Sequence, residues 1–337
     1  MSIVIREADL DHELPLLTDT VNAAFGSSVS AERFRWLYLD NPDGRAVAWL
    51  AIDDRTGAIA GCTAVSPRRV QAGGREVIAW NCGDFSIAAR YRTMGAAVKL
   101  RRAARDAIDA GQSAFLYAHP NDRMLPVHLR VGHAPLAKMR RYAKPLRLAT
   151  RSGLVNRVGS ALLRGFGGDV LVRLTHDVEL IESGPFPADI DDVYHRARRR
   201  LGTVVVRDGT YLNWRFQRNP EQKTETLITR SGDRTSGYVT FAMQQRVVVV
   251  KDWLAADEDA RYQVFAALLR EARRRSALSA TVTALETHPD VPVLRRLGFM
   301  LRPEESTAVT YASEHHPVRP DVVDASRWYM TSGDRDV

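Results

Sequence analysis

The residues whose types and order are suited to chemistry run Phe85-Ser86-Ile87-Ala88-Ala89-Arg90-Tyr91-Arg92-Thr93-Met94-Gly95-Ala96-Ala97. An apolar strand ends at Ile87, a tight turn follows, and a helical pattern opens near Gly95. The first N–H groups of a helix lack intrahelical partners and converge on one spot, with the positive end of the helix dipole behind them. Such a start is a cradle for a diphosphate. Gly95 and Ala97 are small where backbone must approach phosphate, since a larger side chain would hold the ligand off. Alone, Arg-x-x-Gly-x-Ala is a weak signal in a chain rich in Arg, Gly and Ala; its weight comes from its place between a fourth strand and a long helix. No HExxH, Cys/His cluster, Walker loop or Ser-His-Asp arrangement is visible. Cys62 and Cys82 are the only cysteines, with no redox or zinc spacing and no identifiable activating base, and read as small buried strand residues.

The elements that must position this stretch come twice. Arg35-Trp36-Leu37-Tyr38-Leu39-Asp40-Asn41-Pro42 is echoed by Asn213-Trp214-Arg215-Phe216-Gln217-Arg218-Asn219-Pro220. Each copy leads into a hairpin, a polar-faced helix and an apolar run, and closes on Arg130-Val131-Gly132-His133 or Arg296-Leu297-Gly298-Phe299. A repeat this long is a duplicated domain and not a solenoid, whose units recur every 20 to 50 residues or so. The 337 residues suffice for two domains of about 150 residues. In the first copy the order predicted is strand Ile3–Ile5, helices near Leu14–Phe25 and Ser30–Leu39, strands Ala46–Ile52, Ala58–Val65, Arg68–Gln71 and Val77–Ile87, helix Gly95–Ala110, strand Ala114–Ala118, helix Arg123–Val131 and strand Met139–Leu146. That is an α/β or α+β layer fold with a mixed central sheet flanked by helices. The expected division is a first domain over residues 1–150, a helical linker over 151–185, a second domain over 186–313 and a tail over 314–337. Leu154 to Leu174 has an amphipathic spacing, read as an interdomain segment in preference to a membrane-surface helix. Trp328-Tyr329-Met330 in the tail should dock on the body of the protein.

At Arg92-Thr93-Met94-Gly95-Ala96-Ala97, after the strand Phe85-Ser86-Ile87, the chain resembles the GNAT superfamily of N-acyltransferases, whose acyl-CoA loop reads Arg/Gln-x-x-Gly-x-Gly/Ala. The turn Tyr117 to Asp122 and the helix end Val131-Gly132-His133 match the family's closing pattern. The two halves together, with the Trp-Asn-Pro echo and the ending Trp328 to Asp334, look like tandem GNAT proteins, many of them associated with polysaccharide biosynthesis. The resemblance implies transfer of an acetyl group from acetyl-CoA to an amine, such as an amino sugar of a surface or exported polysaccharide, with no metal required. It places Phe85, Ile87, Arg92, Thr93, Met94, Gly95, Ala96, Ala97 and Asn121 along the CoA. In the second copy Ala255-Ala256-Asp257-Glu258-Asp259 stands where the loop should be, three carboxylates without a glycine. A diphosphate would meet like charge there, so the second copy reads as degenerate.

For proton transfer such enzymes use a carboxylate or an ordered water, and often a Tyr to protonate the thiolate. Asp84, in the strand Val77–Ile87 beside the cleft, is the candidate base, and a hydrophobic setting would raise its pKa. The alternative is a structural hydrogen bond, since Asp252 stands at the similar place in the second copy. His128 falls where the family's Tyr commonly lies, and would bring a nearer-neutral pKa; a surface histidine is the plainer reading. His119, on the loop after the strand Ala114–Ala118, is a third candidate, although its echo His288-Pro289-Asp290 favours a turn role.

Composition limits the partners. The chain is 45% hydrophobic and 26% charged, with a net charge of +8 carried mostly by Arg. The pairs and triplets Arg101-Arg102, Arg140-Arg141, Arg198-Arg199-Arg200 and Arg273-Arg274-Arg275 are scattered and read as solvated faces or helix ends. No aromatic-interleaved basic stripe appears, which argues against nucleic acid. No apolar run reaches the roughly 20 residues of a membrane helix and the start has no signal-peptide pattern, so the expectation is cytoplasmic. Two other readings remain beside the acetyltransferase. One is a non-catalytic acyl-CoA-binding or scaffold protein; the other is an aminoacyl or peptidyl transferase of related double architecture.

Overall fold

The computed structural model describes residues 2–92, 94–147 and 168–335. The first half supplies β1 (Ile3–Glu7), α1 (Leu14–Phe25), α2 (Ala31–Tyr38), β2 (Val47–Asp53), β3 (Ile59–Ala72), β4 (Arg75–Ile87), α3 (Ala96–Asp109), β5 (Phe115–Ala118), α4 (Leu125–Arg130) and β6 (Ala134–Pro145). The second supplies β7 (Asp177–Ile181), α5 (Ile190–Ala197), β8 (Thr203–Val205), β9 (Glu225–Ser231), β10 (Arg234–Gln244), β11 (Val247–Ala255), α6 (Glu258–Arg274), β12 (Ser279–Leu285), α7 (Val291–Arg296), β13 (Met300–Tyr311) and β14 (Trp328–Tyr329). The predicted mixed sheet with flanking helices is present.

The strands join in one sheet, in the order β1-β2-β3-β4-β5-β13-β6-β12-β11-β10-β9-β7. Its centre is an exchange. β13, the last strand of the second half, pairs antiparallel with β5 at Val309↔Ala118 and Tyr311↔Leu116. β6, the last strand of the first half, pairs with β12 from Ser279↔Pro145 to Leu285↔Met139. Each half therefore completes the other's sheet, and pulling them apart would strip the backbone bonds of two strands at once. The two halves, copies of each other in sequence, share one sheet.

The echoed motifs meet where the halves face each other. Trp36 and Trp214 stack with ring centroids 4.9 Å apart. The Trp36 indole N–H donates to the Trp214 carbonyl at 2.9 Å, and that of Trp214 returns the bond to the Trp36 carbonyl at 3.1 Å. This reciprocal pairing is what two related copies produce about a pseudo-twofold axis.

Three departures from the predicted elements have local causes. The strands expected at Ala58–Val65 and Arg68–Gln71 are one strand, β3, running through Pro67. Pairing with β2 ends at Val47↔Val65, so Pro67 has no partner on that side to deprive of an N–H. β7, absent from the predicted elements, is a short, mostly exposed edge strand. Most of the amphipathic segment predicted over Leu154 to Leu174 lies outside the described residues. In its described part Asp169 is buried between Lys144 of β6 (2.7 Å) and Arg273 of α6 (2.5 Å).

Candidate active site

β4 and β5 run parallel and paired only from Ala79↔Phe115 to Cys82↔Ala118. β5 then stops, while β4 continues to Ile87. What turns β4 away is a bulge. Ala64 of β3 faces Gly83 and Cys62 faces Ser86, so Asp84 and Phe85 together oppose Thr63. Asp84 takes φ +43°, a left-handed conformation that Asp tolerates better than most residues. The free edge of β4, from Gly83 to Ile87, is left facing a cleft.

Two adjoining cavities occupy that cleft. One of about 310 Å³ is lined by Phe85, Ser86, Ile87, Arg92, Ala97, Asn121 and further residues of α1 and α4. Gly95 is the N-cap of α3 at φ +75°, with no side-chain cap, and a Cβ there would meet nothing within 4 Å. The helix start is therefore open, as the diphosphate cradle requires. The Arg92 Nε donates to the Ile87 carbonyl at 3.4 Å. Ala96 is fully buried, whereas Gly95 is exposed and Ala97 half-buried. Met94 is half-buried against the core, and Thr93 lies outside the described residues.

The second cavity, about 510 Å³, shares Phe25, Phe85, Asn121 and Met124 with the first and passes through the opening in the sheet. Asp84, His119 and His128 all line it, so the three candidate proton carriers are brought together. On one side stand α1 and α2 with Asn219, Glu221 and Gln222 of the second half; on the other, Arg101 of α3 and His128 of α4. The Glu221 carboxylate accepts from the Ser30 hydroxyl at 2.6 Å and backbone N–H at 3.2 Å, tying the halves at the rim.

The surroundings revise the expected roles. Asp84 does not sit in a purely hydrophobic strand: Arg33 lies 3.2 Å from its Oδ1 and the Tyr38 hydroxyl donates to Oδ2 at 2.8 Å. These partners hold the carboxylate toward the cavity. His128, expected either as a near-neutral proton carrier or as a surface histidine, is buried with its Nδ1 2.7 Å from Nδ1 of His133. Burial, helped by the nearby Arg101 charge, pushes its pKa far below the usual histidine range. His119 is held down to about 3, first by burial, with Nε2 3.2 Å from the Met330 sulfur. Both rings stay neutral at pH 7 and are poor proton carriers. The Cys62 thiol, pushed up to about 12 by burial, is no nucleophile at neutral pH.

These histidines make stability acid-sensitive. Unfolded, they titrate near pH 6.5; folded, His119 and His133 are held down to about 3, chiefly by burial. Between those values the unfolded chain binds more protons, so the contribution is complete above about pH 6.5 and is lost as pH falls toward 3. The urea midpoint should fall steadily from pH 7 to pH 4, and less steeply in His119→Phe. Equal slopes in the two proteins would contradict the buried, neutral assignment.

The second copy shows what a closed version of this site looks like. β11 pairs with β12 only from Val247↔Ser279 to Val249↔Thr281 and then diverges, as β4 does from β5. Here the chain's own tail fills the gap. The Met330 carbonyl accepts from the Leu285 N–H of β12, while the Ser332 hydroxyl bonds the Lys251 carbonyl of β11 at 2.9 Å. Asp252 is buried and saturated by Arg207 at 3.0 Å, the Tyr238 hydroxyl at 2.6 Å and the Thr331 hydroxyl at 2.6 Å. Ala256 and Asp257 alone link β11 to α6, and the Asp257 carboxylate caps that helix by accepting from the Ala260 N–H at 2.9 Å. The amides left open at Gly95 are thus answered internally here.

Arg33, Tyr38, Arg101 and Glu221 were not picked out from the sequence. Of these, Arg101 carried a readable signal: it stands four residues after Ala97 and three before Ala104, on the stripe of α3 that faces the core.

No protein-family model matches the sequence, and no curated protein matches it. Solved structures do. A probable N-acyltransferase from Enterococcus faecalis V583 superimposes with a TM-score of 0.71 at 14% identity, over 93% of this chain and 73% of that one. A GCN5-related N-acetyltransferase from Anabaena variabilis ATCC 29413 gives 0.65 at 14% identity, over 92% and 73%. The N-myristoyltransferase of Saccharomyces cerevisiae with bound myristoyl-CoA gives 0.56 at 10% identity, over 92% and 82%. The architecture is a tandem GNAT fold. Within it, this chain keeps one cleft open and fills the other with its own C-terminal segment.

Proposed function

We propose that this protein is an acyl-CoA-dependent N-acyltransferase that moves a short acyl group, acetyl in the simplest case, to an amine in a ternary complex. The observation that carries the reading is the open cleft of the first half. β4 parts from β5 at a bulge, and the unblocked N-terminus of α3 stands at the mouth of the same cleft. Phe85, Ser86 and Ile87 would line the pantetheine arm, and the backbone from Gly95 to Ala97 would hold the diphosphate, with Arg92 beside it and Asn121 at the junction of the cavities. We assign residues 1–150 the catalytic part, and 186–313 together with the tail a supporting part that contributes the rim from Asn219 to Gln222.

An amine entering between α2 and that rim meets the β4 bulge, where the thioester carbonyl would lie. Its lone pair attacks the carbonyl carbon, the bond to sulfur breaks, and the nitrogen gives up a proton. Asp84 is the carboxylate placed to take it, oriented by Arg33 and Tyr38. The acceptor class expected from the family resemblance, an amino sugar of a surface or exported polysaccharide, is the first to try.

A thiol-release assay with acetyl-CoA against a panel of amines tests the reading. Free thiol should appear with some amines and stay at background without one. Tight CoA binding with no release across a broad panel would favour a non-catalytic acyl-CoA-binding protein.

A further inference from the structure

Arg101 is the cation of the cavity that the transfer chemistry above does not use. It is 1% exposed on α3, its Nη2 donates to the Thr63 hydroxyl, and its guanidinium lies 5.0 Å from the centre of the Phe85 ring. Its Nε and Nη1 are buried and have no hydrogen-bond partner among the described residues. Burying a guanidinium without a counterion is unfavourable, and the usual resolution is a carboxylate that accepts two parallel N–H bonds. The neighbours on α4 and beyond, His128 and His133, are neutral and supply no negative charge. Arg33, the other cation of the cavity, is already on Asp84.

We propose that Arg101 receives a carboxylate of the bound reactants, so that one of them is an acid as well as a thioester or an amine. The inference rests on the acyl-CoA reading. Its position favours the acyl chain as the source. Arg101 is on the helix whose start would hold the diphosphate, stacked on the β4 edge that would line the pantetheine, and it lies across the opening from the rim where the amine enters. A short dicarboxylic acyl group would put its distal carboxylate on one of the two unpartnered nitrogens, Nε or Nη1. A long hydrocarbon chain there would leave the cation buried among methylenes, which is disfavoured.

Calorimetry on the full chain with CoA, acetyl-CoA and succinyl-CoA tests this, alongside thiol release from acetyl-CoA with an amino acid and with its methyl ester as acceptors. Succinyl-CoA should bind at least about tenfold tighter than acetyl-CoA, the scale of a charge-assisted hydrogen bond to a guanidinium. Arg101→Gln should erase that difference and leave CoA affinity unchanged. If the thioesters bind equally but the acid outpaces its ester at least about tenfold, in an Arg101-dependent way, the carboxylate belongs to the acceptor. CoA binding with no carboxylate preference in either arm of the wild-type comparison overturns the proposal and leaves the acyltransferase reading intact, whether or not the variant folds. Failure of the wild-type protein to bind any CoA species overturns both.

Discussion

Replacing Gly95 with glutamate should abolish CoA binding in a protein that still folds. At φ +75° a non-glycine residue is strained, by about 1–2 kcal/mol, too little to unfold a chain with this much core. A Cβ at that point meets no protein atom within 4 Å, so the new side chain has open space in front of it, where the proposed function puts the phosphate. It brings bulk and a negative charge to amides that must bind an anion, and the affinity should drop by at least about a hundredfold, some 2.7 kcal/mol. The matched control is Asp259→Ala at the start of α6. That helix already has Asp257 as its cap and the tail lies over its cleft, so CoA affinity should be unchanged. Calorimetry of the two variants reads both outcomes; a Gly95→Glu protein that binds CoA normally would remove the cradle from the site.

Asp84→Asn should leave CoA affinity intact and lower turnover by roughly a hundredfold or more, the scale of losing a general base. Asparagine is the informative replacement because, like Asp, it accepts the left-handed φ of +43°, so the bulge that opens the cleft should survive. The amide can still accept from Tyr38, but it cannot take a proton from the amine. The measurement is kcat with saturating acyl-CoA and an acceptor from the thiol-release panel, with calorimetry on the same preparation. Unchanged kcat would make Asp84 a strut for Arg33 and Tyr38, as Asp252 is for Arg207 and Tyr238, and would pass the proton to an ordered water.

What the sequence made legible was local or repeated. The Trp36 and Trp214 echo announced the duplication because each copy keeps the same contact with the other, and the helix start at Gly95 was readable because a strand, a turn and a helix start are contiguous. The exchange of β6 and β13 was not legible. Their apolar residues call for a neighbour but do not specify which strand, and the register is set by partners more than a hundred residues away. For the same reason the partners of Asp84 were missed: Arg33 and Tyr38 lie on α2, and only the fold brings that helix against β4. Arg101, beside Arg102 in a cluster read as solvated, shows how adjacency misleads, since neighbours on a helix point 100° apart and one can be buried while the other is wet. The tail was expected to dock from Trp328-Tyr329-Met330, but nothing in those residues told that they would fill the cleft of the second copy.

The central claim is that two related clefts have one open cradle between them, and the stoichiometry of CoA binding tests it most directly. Titrating CoA into the full-length protein should give one site per chain, and Gly95→Glu should remove that site. Two sites per chain, or a single site that survives Gly95→Glu, would contradict the account.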